Sequence, residues 1–115
     1  MNFTNYGIAT VIPAYRVERN IKSVIDGLPS YIKHIIIVDD ASPDSTADLI
    51  TAAAQKDIRI TLICHSKNQG VGGAMVSGFR KALELGAQII IKLDGDGQMD
   101  SSHIPMLITP LIEGK

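Results

Sequence analysis

The chain has 115 residues, enough for one small domain, with 45% apolar residues and a formal net charge of −1. That balance gives no electrostatic footprint for nucleic acid or an anionic membrane, and an aromatic content of 4% without Trp argues against base-stacking platforms. A lone cysteine, Cys64, cannot form an internal disulfide and points to a reducing, cytoplasmic setting. The first residues carry neither a basic n-region nor an apolar h-region, and the longest apolar runs fall far short of a membrane span. Attachment to the cytoplasmic face of a membrane is expected only through sequence outside this chain.

The first predicted strand is Ile8 to Ile12, followed by Pro13-Ala14-Tyr15-Arg16-Val17-Glu18. This turn has no glycine, so the dinucleotide fingerprint G-x-G-x-x-G fails. Tyr15 and Glu18 either wall a base or ribose, or are a surface ring and an acid favoured near a helix N-terminus. Ile21, Val24, Ile25 and Leu28 then give the i, i+3, i+4, i+7 stripe of a helix.

The second strand is predicted over Ile35 to Val38 and runs into Asp39-Asp40-Ala41-Ser42-Pro43-Asp44-Ser45-Thr46. Ser42 or Asp44 can cap the next helix, whose stripe is Ala47, Ile50 and Ala54. Capping leaves Asp39 and Asp40 unexplained, because two carboxylates at a buried strand end are costly unless paired or facing a ligand. A carboxylate there can accept the imino N–H of uracil or guanine.

The third strand is predicted over Ile58 to Ile63, then His65-Ser66-Lys67-Asn68-Gln69-Gly70-Val71-Gly72-Gly73-Ala74. Glycines entering a helix can offer amides to an anion, yet the P-loop pattern is absent, and close helix–sheet packing is the favoured reading. His34 and His65 lack metal-ligand spacing and read as partly exposed polar residues at strand ends. Val71, Ala74, Met75, Gly78 and Ala82 form the third stripe, and Gly86 suits the position past a helix end.

The fourth strand, Ile89 to Leu93, runs directly into Asp94-Gly95-Asp96-Gly97-Gln98. Asp94 and Asp96 share a direction if the chain stays extended. Three oxygen ligands at alternate positions suit Mg²⁺ or Mn²⁺, ions that usually accompany a phosphate-bearing substrate. An EF-hand fails, because Met99 and Pro105 occupy its glycine and glutamate positions. Ser102 to Glu113 reads as a helix interrupted by Pro110. The nearly continuous Ile/Val runs, alternating with helices, predict an α/β fold with a parallel sheet and right-handed crossovers.

Together these stretches resemble the family 2 glycosyltransferases, and most closely the dolichyl- or polyprenyl-phosphate mannosyl- and glucosyltransferase branch. The resemblance spans Val11 to Gly114. It rests on Val38-Asp39-Asp40-Ala41-Ser42-x-Asp44-x-Thr46, on Asn68-x-Gly70-x-Gly72-x-Ala74-x3-Gly78-x3-Ala82, and on Asp94-Gly95-Asp96-Gly97-Gln98, which looks like the family's D-x-D motif. It implies a three-layer, Rossmann-like nucleotide-diphospho-sugar transferase fold with a mostly parallel sheet, here truncated. Residues 1–115 would be its N-terminal, nucleotide-sugar-binding part.

The resemblance implies roles as well. Pro13, Tyr15 and Glu18 would line the nucleotide, and Asp40 with Asp39 would recognise its base. Asp94, Asp96 and Gln98 would hold Mg²⁺ or Mn²⁺ on the diphosphate of a UDP- or GDP-linked sugar, transferred with inversion to a polyprenyl phosphate or a glycan. Many members of the family carry a catalytic base in the part that follows, and none is assigned in this chain. Two departures stand out: Arg16, where the family often has Asn, and Ala41, where it usually has Gly. The family also continues with further strands and an acceptor region, so self-association through an uncovered edge is expected of this chain.

Two other readings stand beside this one. A nucleotide-binding remnant would bind without transferring sugar. A response-regulator receiver would share the length and an acidic metal pocket, but it places its acidic pair after the first strand.

Overall fold

The structure, a computed structural model, describes residues 6–95. Within them the elements alternate as β1 (Ile8–Ala14), α1 (Ile21–Asp26), β2 (His34–Asp39), α2 (Thr46–Lys56), β3 (Ile60–Cys64), α3 (Gly70–Glu84) and β4 (Ile89–Lys92). The sheet order is β3-β2-β1-β4, and every neighbouring pair is parallel. Val11 in β1 lies opposite Ile36 of β2 and Lys92 of β4.

Crossover handedness explains the layering. The β1-α1-β2 and β2-α2-β3 units step the same way across the sheet, so right-handed crossovers put α1 and α2 on one face. The β3-α3-β4 unit steps back past β1, so α3 covers the other face. Two apolar cores follow. One joins Ile8, Ile12, Ile35 and Ile37 to Ile21, Ile25 and Ile50; the other joins Ala9, Val11, Ile36 and Val38 to Ala74 and Ala82. Three layers result, with β1 and β2 sandwiched between them, which is why their Ile/Val runs carry no alternation. Among the described residues β3 and β4 are the edge strands, and they are only partly buried.

The third helix sits unusually close to the sheet. A Cβ on Gly78 would collide with Cγ1 of Val11. Gly78 is buried with Ala74 and Ala82 on one face of α3, so the small-residue stripe is a packing surface. The helix ends in a Schellman motif: the N–H of Gly86 bonds the carbonyl of Leu83 at 3.1 Å and that of Ala87 bonds Ala82 at 3.0 Å. Gly86 takes φ +80° there, as the sequence predicts.

Ile58 and Val71 differ from expectation. Ile58, which the sequence places in the third strand, is 99% exposed, and β3 starts at Ile60. The cause is a polar clip. Asp57 Oδ1 accepts the backbone N–H of Arg59 at 3.0 Å, and the Arg59 guanidinium donates to Asp57 and to the carbonyls of Pro29 and Ile32. That turn throws Ile58 outward. Val71, placed on the buried stripe of α3, is 59% exposed because it lies in the first turn, beyond the sheet's cover. The segment Ser102 to Glu113, Asp96 and Gln98 lie outside the described residues.

The strand order also separates this fold from a receiver domain, whose sheet runs 2-1-3-4-5. Here β1 and β4 are neighbours and the chain reverses direction across the sheet between them.

Candidate functional site

Ligands of open α/β sheets bind beyond the carboxyl ends of the strands, where the strand order reverses. That point lies between β1 and β4, and a cleft of about 250 Å³ opens there. It is lined by residues 13–17 after β1, by Asp40 after β2, by Val71 and Ala74 at the start of α3, and by Asp94 and Gly95 after β4. The topology thus brings together four stretches that the sequence separates by up to eighty residues.

The first wall of the cleft is held by the next loop. Ser42 Oγ accepts the N–H of Arg16 at 3.0 Å, Thr46 Oγ1 accepts the N–H of Val17 at 3.1 Å, and Glu18 Oε2 accepts the N–H of Ser45 at 3.1 Å. Asp44 Oδ1 in turn takes both the amide and the hydroxyl of Thr46, at 3.1 and 2.6 Å. The Thr46 hydroxyl, aided by backbone amides, outweighs desolvation and holds the Asp44 carboxyl below its ordinary value. Of the two expected caps, Asp44 therefore serves the start of α2, whereas Ser42 braces the β1 loop. The bracing forces two non-glycine residues into left-handed backbone: Arg16 at φ 56° and Ala41 at φ 63°. Tyr15 is 44% exposed, and the Arg16 guanidinium lies 5.4 Å from its ring centre.

Asp40 is the best-connected polar residue of the site. Its Oδ1 accepts Nδ1–H of His65 and the backbone N–H of Gln69, each at 2.8 Å, and its Oδ2 accepts the backbone N–H of Gly70 at 2.8 Å. Its carbonyl accepts the Asn68 side-chain amide at 3.1 Å. Burial pushes the Asp40 carboxyl up. The His65 hydrogen bond, the two amides and the charge of His65 outweigh this and hold it below its ordinary value. The glycine-rich start of α3 does face an anion, and that anion is the chain's own carboxylate.

His65 is a partly exposed residue at a strand end, as the sequence predicts, but its side chain is only 7% exposed. Nε2 of the same ring lies 2.8 Å from Ser77 Oγ, so both nitrogens are engaged. No local pattern announces this contact, because His65, Asp40 and Ser77 come from three different elements. Their meeting follows from the parallel alignment of β2 with β3 and from α3 crossing behind them.

The remaining candidates are distributed unevenly. Pro13, Tyr15, Asp40 and Asp94 line the cleft. Asp39 and Glu18 do not. Asp39 is 4% exposed and its Oδ1 accepts the N–H of Ser42 at 3.3 Å; Glu18 is turned to Ser45. Asp94 presents a carboxylate with 41% side-chain exposure, paired to Lys92 Nζ at 3.5 Å. Its oxygens, at the cleft and weakly committed, fit a hard divalent cation. Among the described residues no group of three His, Cys, Asp or Glu side chains converges to hold a metal, and the two partners expected for Asp94 lie outside them.

A UDP-N-acetylglucosamine–dolichyl-phosphate N-acetylglucosaminyltransferase of Methanococcus voltae is 36% identical over 91% of this chain and 47% of its own length. An undecaprenyl-phosphate mannosyltransferase of Micrococcus luteus is 30% identical over 88% of this chain and 42% of its own. The chain thus spans about half the length of these curated relatives. Among solved structures, a mannosyltransferase of Pyrobaculum calidifontis in complex with GDP-Man and Mn²⁺ superposes with a TM-score of 0.70 at 22% identity, covering 81% of this chain and 29% of that one. TarS of S. aureus does so at 0.71 and 16% identity, covering 93% and 32%. Both likenesses speak to fold. The model of glycosyl transferase family 2 matches residues 10–115, and the chain belongs to that family.

Proposed function

We propose that this chain is the donor-binding part of an inverting glycosyltransferase that takes a UDP- or GDP-linked sugar and delivers the sugar to a polyprenyl phosphate. The observation that carries the reading is the cleft at the β1/β4 reversal, where Pro13, Tyr15, Asp40 and Asp94 converge in a family 2 chain. Support for the acceptor comes from the relatives, whose names specify dolichyl and undecaprenyl phosphate.

Each part of the cleft has a task in this scheme. Residues 13–17 form a wall for the nucleoside, with the Tyr15 face stiffened by Arg16. Asp40 is an ionised acceptor at fixed orientation, suited to the imino N–H of a uracil or guanine base. Asp94, with Asp96 and Gln98, would hold Mg²⁺ or Mn²⁺, which supplies counter-charge to the diphosphate.

In the transfer itself, an acceptor oxygen bonds to the anomeric carbon as the bond from that carbon to the diphosphate breaks. The nucleoside diphosphate leaves with the electron pair. A phosphate monoester acceptor, with a second pKa of about 6, is already ionised at neutral pH and needs no general base. Titration calorimetry of the chain with UDP, GDP and their sugars, with and without Mn²⁺, tests the reading. Metal-dependent binding of one nucleoside diphosphate supports it; binding of none refutes it.

A further inference from the structure

We propose that His65 is a positioning residue for nucleotide recognition: its ring fixes the Asp40 carboxylate at the cleft, and Ser77 fixes the ring. The proposal rests on reading the cleft as a nucleotide site, and it adds residues that do not themselves line it.

The geometry is a part-buried chain of three side chains. Ser77 Oγ, His65 Nε2, His65 Nδ1 and Asp40 Oδ1 are linked by two contacts of 2.8 Å, with the His65 and Asp40 side chains 7% and 5% exposed. Asp40 is held ionised and can only accept, so the hydrogen of the pair sits on Nδ1. A hydroxyl both donates and accepts, so Ser77 satisfies Nε2 whether or not it carries a proton.

The order serine, histidine, aspartate is that of a hydrolytic triad. Neither Ser77 nor His65 lines the cleft, so no substrate carbonyl can reach the hydroxyl from it. The chain of contacts acts on Asp40 instead.

The consequence for Asp40 is directional. An ionised carboxylate has about four acceptor positions. Oδ1 receives two donors, His65 and Gln69, and Oδ2 receives one, Gly70. The open capacity is therefore on Oδ2, and rotation to move it would break three hydrogen bonds. A base imino N–H is discriminated only by an acceptor that cannot turn away to suit a wrong partner. Without His65, the backbone amides of Gln69 and Gly70 remain as the only donors to the carboxylate among the described residues, and its plane is free to tilt.

The test compares His65→Asn with His65→Gln in the whole chain. The Asn amide reaches the place of Nδ1 and can still donate to Asp40; the Gln amide reaches the place of Nε2 and meets Ser77. Calorimetry uses UDP and GDP with Mn²⁺, and inorganic pyrophosphate as a probe without a base. Thermal melts accompany each variant. His65→Gln should weaken the preferred nucleoside diphosphate about tenfold while leaving pyrophosphate within about twofold, and His65→Asn should recover most of the loss. Ser77→Ala, which removes one hydroxyl and threatens folding least, should cost about threefold on the nucleotide alone. Glutamine equal to or better than asparagine, an equal loss for pyrophosphate, or a Ser77→Ala chain that binds like wild type would each overturn the proposal. A wild-type chain that binds pyrophosphate but neither nucleotide would overturn the nucleotide reading itself, and this proposal with it.

Discussion

Asp40 Oδ2 lies 2.8 Å from the backbone nitrogen of Gly70, so the carboxylate at the end of β2 closes the first turn of α3. The same carboxylate lines the cleft. One residue thereby ties the helix that covers the sheet to the site where the nucleotide is proposed to bind. Asp40→Asn should weaken UDP or GDP binding while hardly touching inorganic pyrophosphate. It should also lower stability by about 1–3 kcal/mol, because an amide N–H₂ cannot satisfy all three donors. Calorimetry and urea unfolding measure the two effects separately. Equal losses for nucleotide and pyrophosphate would assign Asp40 to scaffold alone.

The same contacts set a pH dependence. The folded carboxyl of Asp40 titrates below its unfolded value, so its ionised form stabilises the native state. That stability is fully present above the unfolded value, near 4, and is lost as pH falls through the folded one. Acid unfolding of wild type should therefore be steeper below about pH 4 than that of Asp40→Asn, which has no proton to take up at this position. Superimposable acid profiles would count against it.

Asp94→Ala and Asp96→Ala should each abolish the metal-dependent part of nucleoside diphosphate binding, since the diphosphate loses its counter-charge. Any residual binding should be indifferent to Mn²⁺. Equal affinity of the wild type with and without Mn²⁺ would sink the idea.

Ala41→Gly should stabilise the chain. Ala41 sits at φ 63°, where a Cβ costs roughly 1–2 kcal/mol, and glycine returns about 0.4–1 kcal/mol of that through the entropy of the unfolded chain. A net gain of about 0.5–1 kcal/mol is expected, read as a higher melting temperature. A lower one would show that the methyl group contributes packing that outweighs the strain.

Ala41 also shows what the sequence made legible. Arg16 and Ala41, the two positions that the resemblance marked as departures, are the two non-glycine residues with positive φ among those described. Their left-handed backbone accompanies one long-range bond, from Arg16 N–H to Ser42, and one local turn bond, from Ser42 N–H to Asp39. Strand and helix order was readable because β1 and β2 are buried on both faces and α3 carries its small residues at helical spacing. The acidic cleft was readable because ligand sites of parallel sheets lie at strand ends. What escaped was decided between elements. Ile58 is expelled by an Asp57–Arg59 clip that also depends on the carbonyls of Pro29 and Ile32, and the His65 ring is held by partners twenty-five residues before it and twelve after.

Gly78→Val should be among the most damaging single changes in α3. Even a Cβ at this position would collide with Val11, whose side chain is fully buried in β1. The helix would have to lift from the sheet, and overpacking of this kind typically costs about 1–3 kcal/mol. Gly72→Ala is the control, since a Cβ there meets nothing within 4 Å; helix propensity should make it neutral or slightly stabilising. Denaturant midpoints that fail to separate the two variants would mean that α3 does not pack as described.

The chain should self-associate. Val76, Phe79 and Leu83 follow one another at i, i+3 and i+7 on the outer face of α3, with exposures of 51%, 41% and 67%. The short β4 edge also offers unpaired backbone groups among the described residues, and its Ile89 and Ile90 are only partly covered. An apolar stripe of this kind on the surface of a small domain favours association through its removal from water. The stripe, not the edge, should dominate, because β4 is four residues long and Lys92 is exposed at its end. Light scattering across a concentration series should then report a mass above the 12.4 kDa of one chain. The double variant Phe79→Glu/Leu83→Glu should restore the monomer without lowering the melting temperature, since neither side chain is buried in the fold. A wild-type chain that stays monomeric at the highest concentration, or a double variant that still associates, would move the responsibility away from α3.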